Sequence, residues 1–303
     1  MLSKKTVKIF VSILAAIFIL IGIILKEDFS GLNLSSEASM PIENRLEIHY
    51  LDVGQGDAIL IKTPHNQKIL IDGGPDMSIL DQMGKNLSFF DRQIDIIILT
   101  HPHSDHINGL VEVLRRYDVR KIYYTGAFHT SPAYLEWLEM IKQKNVPLEI
   151  IKEQRVLALD NELKLEFLYP FEDLMNKDIK ELNNTSIINK LVYKDKIFLF
   201  MGDAEKEVEQ ELMDLDIDLD ADVIKLGHHG SSSSSTEDFL KKIDAQYAII
   251  QCGEDNSFGH PHLSVIRRLE RLGIKIFRND LNGQVSVFSD GERIEVVAER
   301  IVY

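Results

Sequence analysis

The chain has 303 residues, 45% of them apolar, which excludes general disorder and leaves room for one large domain or two small ones. Its single cysteine, Cys252, excludes an intramolecular disulfide framework and a cysteine-built zinc cage, so any metal ligand must be His, Asp or Glu. The formal charge of −14 becomes −18 once Lys4, Lys5, Lys8 and Lys26 are set aside, leaving 30 basic against 48 acidic residues; such a balance repels polyanions at long range and argues against a dedicated duplex-DNA binder.

Ile9 to Leu25 is an almost unbroken apolar run of 17 residues. At about 1.5 Å per residue it just reaches across a hydrocarbon core. Lys4, Lys5 and Lys8 precede it, and by the positive-inside rule they stay in the cytoplasm. This predicts a single-pass anchor over residues 1–26, a place at the cell membrane, and a main domain outside the cytoplasm. A cleaved signal peptide, giving a secreted protein, is the competing reading. Residues 27–44, with Ser30, Gly31, Ser35, Ser36, Ser39 and Pro41, read as a polar tether, and 45–303 as one domain.

Within that domain, 46–53, 58–63 and 68–74 read as consecutive antiparallel strands separated by Gly54-Gln55-Gly56 and Pro64-His65-Asn66. A helix over 79–90, an apolar strand over 94–100 and a helix from Ile107 follow. The second half predicts strands near 163–169, 187–193, 196–201, 222–226 and 246–251, helices near 205–215, 236–242 and 262–272, and closing strands near 274–278 and 283–298. Two sheets, each covered outside by helices, is the natural packing of such an order. The run Asp214, Asp216, Asp218, Asp220 has Leu219 where a calcium loop needs glycine, and reads as a solvated helix end.

His101-Pro102-His103-Ser104-Asp105-His106 puts three imidazoles and a carboxylate within six residues, just after a buried strand. A loop there can aim all four at one point, and imidazole with carboxylate suits zinc, or manganese and iron when oxygen ligands are added. The segment resembles the HxHxDH signature of the metallo-β-lactamase superfamily, and the resemblance covers nearly everything from Arg45 onward. It implies an α/β fold, the metallo-β-lactamase αββα sandwich, here preceded by one N-terminal transmembrane helix. It further implies one or two divalent ions, zinc first and manganese as the alternative. Asp72 in ILIDGG then orients the metal loop by hydrogen bonding, and Asp203, at the end of IFLFMGDAE, contacts both ions. In VIKLGHHGSSSSS, His228 is taken as the last ligand beside His101, His103, Asp105, His106 and Asp203. His229 then contacts substrate or braces the site, and its assignment as the ligand is the alternative. Ser231 and the serines after it offer hydroxyl and N–H groups to an anion, or form a flexible low-complexity loop.

HYLDVGQGDAILI (49–61), THPHSDHINGL (100–110), NNTSII (183–188), GDAE (202–205), KLGHHGS (225–231) and FGHPH (258–262) together narrow the resemblance to the hydrolase domain of the ComEC competence, or DNA internalisation, family. With only one apolar run, the chain reads as a stand-alone relative to which transport does not transfer. The superfamily's further histidine ligand is missing; between His106 and Asp203 only His129 occurs, and Asn183 and Asn184 stand where that ligand is expected. Amide oxygen is a weak ligand, so the pocket of His101 and His103 should hold its ion less tightly than that of Asp105, His106 and His228. Asp57 either caps the Gly54-Gln55-Gly56 turn or faces the active site. His260 either protonates a leaving group or contacts a phosphate oxygen, with a capping histidine as the bland reading.

The resulting expectation is metal-assisted hydrolysis of a phosphodiester, with Asp105, Asp203 and His260 in the chemistry and His229, Ser231 and Asn184 on the substrate. DNA is a candidate polymer, the membrane is met through the N-terminal helix, and no protein partner is inferred. Hydrolysis of a choline-phosphate-type ester at the cell surface, or a non-catalytic metal-binding relative, are the rivals.

Overall fold

The computed structural model describes residue 40 and residues 44–301, apart from 176, 178 and 216. The anchor expected over 1–26, and most of the tether, lie outside the described residues. Among the described residues, no helix is long and apolar enough to cross a membrane.

In chain order the first half carries β1 (Leu46–Tyr50), β2 (Ile59–Lys62), β3 (Lys68–Ile71), α1 (Ser78–Asn86), β4 (Gln93–Ile94), β5 (Ile96–Ile98), α2 (Ser104–Arg116), β6 (Asp118–Val119), β7 (Ile122–Tyr124), α3 (Pro132–Lys144) and β8 (Leu148–Ile150). The second half adds β9 (Arg155–Ala158), β10 (Leu163–Tyr169), β11 (Ile188–Tyr193), β12 (Lys196–Phe200), α4 (Lys206–Asp214), β13 (Val223–Lys225), α5 (Glu237–Ile243), β14 (Tyr247–Ile250), α6 (Leu263–Leu272) and β15 (Lys275–Arg278). Two further strands, β16 (Val285–Ser289) and β17 (Ile294–Ala298), return to the first sheet, where β16 lies antiparallel to β1 with Ile48 opposite Val287. The sheet orders are β17-β16-β1-β2-β3-β5-β7-β8 and β15-β14-β13-β12-β11-β10-β9.

Strand periodicity builds the layers. Successive side chains on a strand face opposite ways, so β3 sends Ile69 and Ile71 to the core between the sheets and Leu70 to the helix side. β12 does the same with Phe198 and Phe200 inward and Leu199 outward. On one outer face Leu70, Ile97, Leu110, Leu114 and Trp137 pack together; on the other Leu199, Ile224, Phe239, Leu240, Val265 and Leu269 do. Each full burial of such a side chain stabilises by about 1.5–3 kcal/mol, and a one-residue slip would reverse it along the whole strand. The result is helices, sheet, sheet, helices, as the αββα expectation has it.

Three local departures from the sequence reading have physical causes. The apolar run 94–100 is interrupted at Asp95, whose side chain accepts the backbone N–H of Lys68 at 2.9 Å, leaving β4 to pair with β6 outside the main sheets. The first helix ends at Asn86, short of the expected Phe90. The second begins at Ser104 rather than near Ile107, so Asp105 and His106 sit in a first helical turn and not in a loop. Strands β6 to β8 and the helix α3 were not anticipated. These strands have two or three residues each, too few to show a period, while α3 is started by Ser131, which accepts the N–H of Tyr134, and by Pro132.

Candidate metal centre

The loop after β3 and the start of α2 are locked together by glycine. Gly73 N–H is accepted by the His106 carbonyl at 2.8 Å, and Gly109 N–H by the Gly74 carbonyl at 3.0 Å; a Cβ on Gly109 would collide with the carbonyl of Gly73. That close approach sets Asp72, fully buried and at φ 57°, beside the metal motif. Its Oδ2 accepts His106 Nδ1–H at 2.8 Å and the Thr100 hydroxyl at 2.7 Å, and its Oδ1 accepts Thr100 N–H at 2.8 Å. The imidazole of His106 is thereby fixed with Nε2 towards the site.

Four residues converge there. His106 Nε2 and His229 Nε2 each lie 3.3 Å from Asp203 Oδ2, and His229 Nε2 is also 3.3 Å from Asp105 Oδ2. Ligand atoms of Asp105, His106, Asp203 and His229 all fall within 4.8 Å of one another. His106 Nε2 and His229 Nε2, both directed at Asp203 Oδ2, are buried without a hydrogen-bond partner. Orphaned polar atoms aimed at one point are costly unless something binds them, and two imidazoles with two carboxylates fit a divalent ion such as zinc, manganese or iron.

The electrostatics agree. Burial lowers the proton affinity of His106 and His229, yet Asp203, with Asp72 and Asp105 at His106 and with Asp57 and Asp105 at His229, outweighs it and raises both pKa values well above the ordinary range. Burial raises the Asp203 carboxyl, but His229 and His106 bring it well below normal. Asp105 is likewise lowered against its burial, by His106 and His229.

His101 and His103 lie beside this cluster, outside the group of four. His101 Nε2 is 3.0 Å from His103 Nδ1 and 3.8 Å from Asp203 Oδ2, and burial, followed by His106, lowers both pKa values. His129 stands beside them, its ring 6.4 Å from that of His103 and its Nδ1 accepting Ser131 N–H at 3.2 Å. Of the two asparagines, Asn184 uses its Oδ1 to accept Glu205 N–H at 2.9 Å. Asn183 keeps a buried Oδ1 without a partner.

The structure exchanges the expected roles of the paired histidines. Both His228, at φ 46°, and His229, at φ 53°, are left-handed, and this turn swings His229 inward, where its Nδ1–H is accepted by the Gln251 carbonyl at 2.8 Å. His228 turns away from the cluster, to Glu205 Oε1 at 2.9 Å and Ser233 Oγ at 3.1 Å. Ser231 is corrected as well: it is buried, its hydroxyl bracing Ser233 at 3.0 Å inside its own loop. His260 does lie at the site, its ring 5.3 Å from that of His228 and 6.1 Å from that of His229. Burial, then His229 and His228, push its pKa down to about 4, so at neutral pH it is an uncharged hydrogen-bonding group, which suits the phosphate contact, one of the two roles expected of it. Asp57 is buried behind the cluster, its Oδ1 3.3 Å from His229 Nδ1.

Residues that the sequence reading passed over complete the frame. Ser186 receives Asp203 N–H at 3.0 Å and stands 3.3 Å from His101 Nδ1; Thr100 stands 3.1 Å from the same nitrogen. Ser186 stands in the motif NNTSII and Lys225 in KLGHHGS, neither with a role of its own there, whereas Gln251 carries no signal, being a polar residue in a strand that reads as core.

The comparisons with known proteins bear on this geometry. A family model described as the metallo-beta-lactamase superfamily matches residues 51–254. ComE operon protein 3 of Bacillus subtilis is 30% identical over 256 residues, 79% of this chain and 32% of that protein. Competence protein ComA of Neisseria gonorrhoeae is 28% identical, over 80% of this chain and 32% of its own length. The chain thus spans about a third of the length of these curated relatives. Among solved structures, the metallo-beta-lactamase fold protein YhfI from Bacillus subtilis superposes with a TM-score of 0.52 at 10% identity, covering 78% of this chain and 96% of that one. Igni18, a metallo hydrolase from Ignicoccus hospitalis, gives 0.52 at 16% identity, covering 79% and 98%. At such identities the likeness shows the fold alone.

Proposed function

The chain belongs to the metallo-beta-lactamase superfamily, with a metal-dependent hydrolase fold and competence proteins among its relatives, and on that premise we propose that it cleaves phosphodiesters. The observation that carries the proposal is the convergence of Asp105, His106, Asp203 and His229, the two imidazoles with buried Nε2 atoms that find no hydrogen-bond partner in the protein. A divalent ion bound there supplies a water of lowered pKa and a positive charge for the oxyanion that develops on the substrate.

The chain's own residues do the rest. Asp72 and the Gln251 carbonyl fix the two imidazoles through their Nδ1–H groups, which keeps each Nε2 free of a proton when an ion is held. Asp203 faces both His106 and His101, so it is the group that can serve the strong and the weak pocket together. At the rim, the uncharged His260, beside the Glu205-held His228, offers an N–H group to phosphate oxygens. The relatives' names, competence protein and recombination protein, support a nucleic acid as the polymer. The net acidity favours recognition through the ion and these few donors over recognition by a basic surface. The apolar run 9–25 and the lysines before it support a place at the membrane with the domain outside the cytoplasm.

The test incubates the chain, loaded with Zn²⁺ or Mn²⁺, with labelled single-stranded DNA, bis-p-nitrophenyl phosphate, p-nitrophenyl phosphorylcholine and a chromogenic lactam, each beside Asp203→Ala. Cleavage of the first two, lost in the variant, is expected. Turnover of the choline ester alone would move the function to the cell envelope, and turnover of the lactam alone would overturn the substrate class.

A further inference from the structure

Behind the four-residue cluster lies one fully buried lysine. Lys225 ends β13, between β12 and β14 in the second sheet, and its side chain reaches the back of the site. Its ammonium donates to Asp57 Oδ2 and, at 2.8 Å, to the Gly202 carbonyl. That leaves a third N–H, and Asp203 Oδ1, otherwise unpartnered, lies 3.8 Å away. The other oxygen of Asp57 is 3.3 Å from His229 Nδ1, and the Asp57 N–H is accepted by the Asp105 carbonyl at 3.2 Å. One ammonium therefore stands directly behind Asp203 and, through Asp57, behind His229 and Asp105. Among the described residues, no other lysine or arginine pairs with Asp57, Asp72, Asp105 or Asp203.

We propose that Lys225 is a positioning residue that acts as a resident cation, holding Asp57, Asp203 and His229 in place so that the metal centre is assembled before an ion enters. Carboxylates taken out of water need a partner, and a site with this many cannot be left to depend on a visiting ion alone. The ammonium fills that need from the rear, leaving Asp203 Oδ2 turned towards the imidazoles. Asp57 decides where the ammonium sits: it draws Nζ away from Asp203 and so keeps lysine and ion from competing for one carboxylate. The inference rests on the metal-binding part of the function proposed above and not on the substrate class.

The experiment uses the full chain, stripped by chelator, with Mn²⁺ as the probe. Thermal unfolding is recorded with and without saturating Mn²⁺, and affinity is taken from a titration of free Mn²⁺. Lys225→Met removes the cation and keeps an apolar stem. Its stripped form should melt lower than wild type, and Mn²⁺ should raise its midpoint by more than it raises that of wild type, because the ion then stands in for a counter-charge that the carboxylates have lost. Asp57→Asn should act in the opposite sense on affinity: the ammonium, released towards Asp203, competes with the ion and weakens Mn²⁺ binding by about tenfold. An ion pair that serves only to join the two halves would lower the midpoint equally in both states and leave the Mn²⁺ affinity alone; that pattern overturns the proposal. If Lys225→Met does not fold even with Mn²⁺, the Asp57→Asn affinity alone decides. A wild-type chain that binds no Mn²⁺ would instead overturn the metal centre itself.

Discussion

Asp72 and His106, both fully buried, share a 2.8 Å hydrogen bond in which the carboxylate that orients the imidazole also holds Thr100 by its N–H and hydroxyl. The position is left-handed, at φ 57°, which asparagine tolerates and most residues do not. Asp72→Asn therefore keeps the backbone and removes the charge and one acceptor. Metal affinity is expected to fall about tenfold or more, read by competition with a chelating dye, while the far-ultraviolet dichroism stays that of wild type.

Adjacent histidines with different surroundings should separate cleanly. His229→Ala removes one of the four converging groups and is expected to weaken the tighter ion at least about a hundredfold, whereas His228→Ala, which loses only contacts to Glu205 and Ser233, should leave that affinity within a few-fold. Chelator titration of wild type, counting bound metal, should show two unequal steps. His103→Ala should abolish the weaker step first, and equal loss of both ions in that variant would contradict the division into strong and weak pockets.

Gly109 offers a case where helix propensity gives the wrong sign. Alanine is about 1 kcal/mol better than glycine inside a helix, yet here its Cβ would meet the Gly73 carbonyl and push α2 off the Asp72 loop. Gly109→Ala is expected to destabilise by about 1–3 kcal/mol, as overpacking does, and to lower metal affinity with it. Urea midpoints measure the first effect, and a midpoint equal to or above wild type would show that the contact gives way.

The Glu47 carboxylate meets His49 at 3.2 Å, Lys62 at 2.6 Å and Arg45 at 3.3 Å, and its pKa is lowered to about 2, with the His49 hydrogen bond as the main cause and Lys62 helping against the cost of burial. A carboxyl depressed on folding contributes stability that is full above its unfolded pKa and lost as pH falls through the folded one. Glu47→Gln should thus be less stable than wild type at pH 6, by on the order of 2 kcal/mol after allowance for solvent screening. The gap should shrink between the ordinary glutamate range and about pH 2 and vanish below it. Urea unfolding of both chains at a series of pH values would show this, and a gap independent of pH would mean that charge plays no part.

The centre was legible where its residues are contiguous. His101 to His106 announce themselves, and Asp72 and Asp203 follow from the family resemblance that this segment carries. His228 and His229 could not be told apart, because the choice lies in two consecutive left-handed residues and in the Gln251 carbonyl beneath one of them, neither of which leaves a trace in GHHG. Lys225, at the end of the apolar run VIK, has no role that the sequence announces, because its partner Asp57 is 168 positions away. The sheets were legible from alternation, whereas β6 and β7 were not, since two or three residues carry no period and their parallel neighbours, β4 for the one and β5 and β8 for the other, hold them.

The pairing of β1 with β16 joins Leu46 to Ser289 and Tyr50 to Val285. Ribosomal synthesis therefore makes the earliest strand of the domain some 240 residues before one of its two neighbours. Until then β1 presents an open edge of unpaired amide groups and the apolar side chains of Ile48 and Tyr50, the kind of edge to which another chain can add. Completion of the sheet waits on the last stretch of polypeptide, and loop closure over that span makes it a slow event. The growing chain accordingly needs shielding from its own copies for most of its synthesis, and a product shortened before Val285 would carry that adhesive edge permanently.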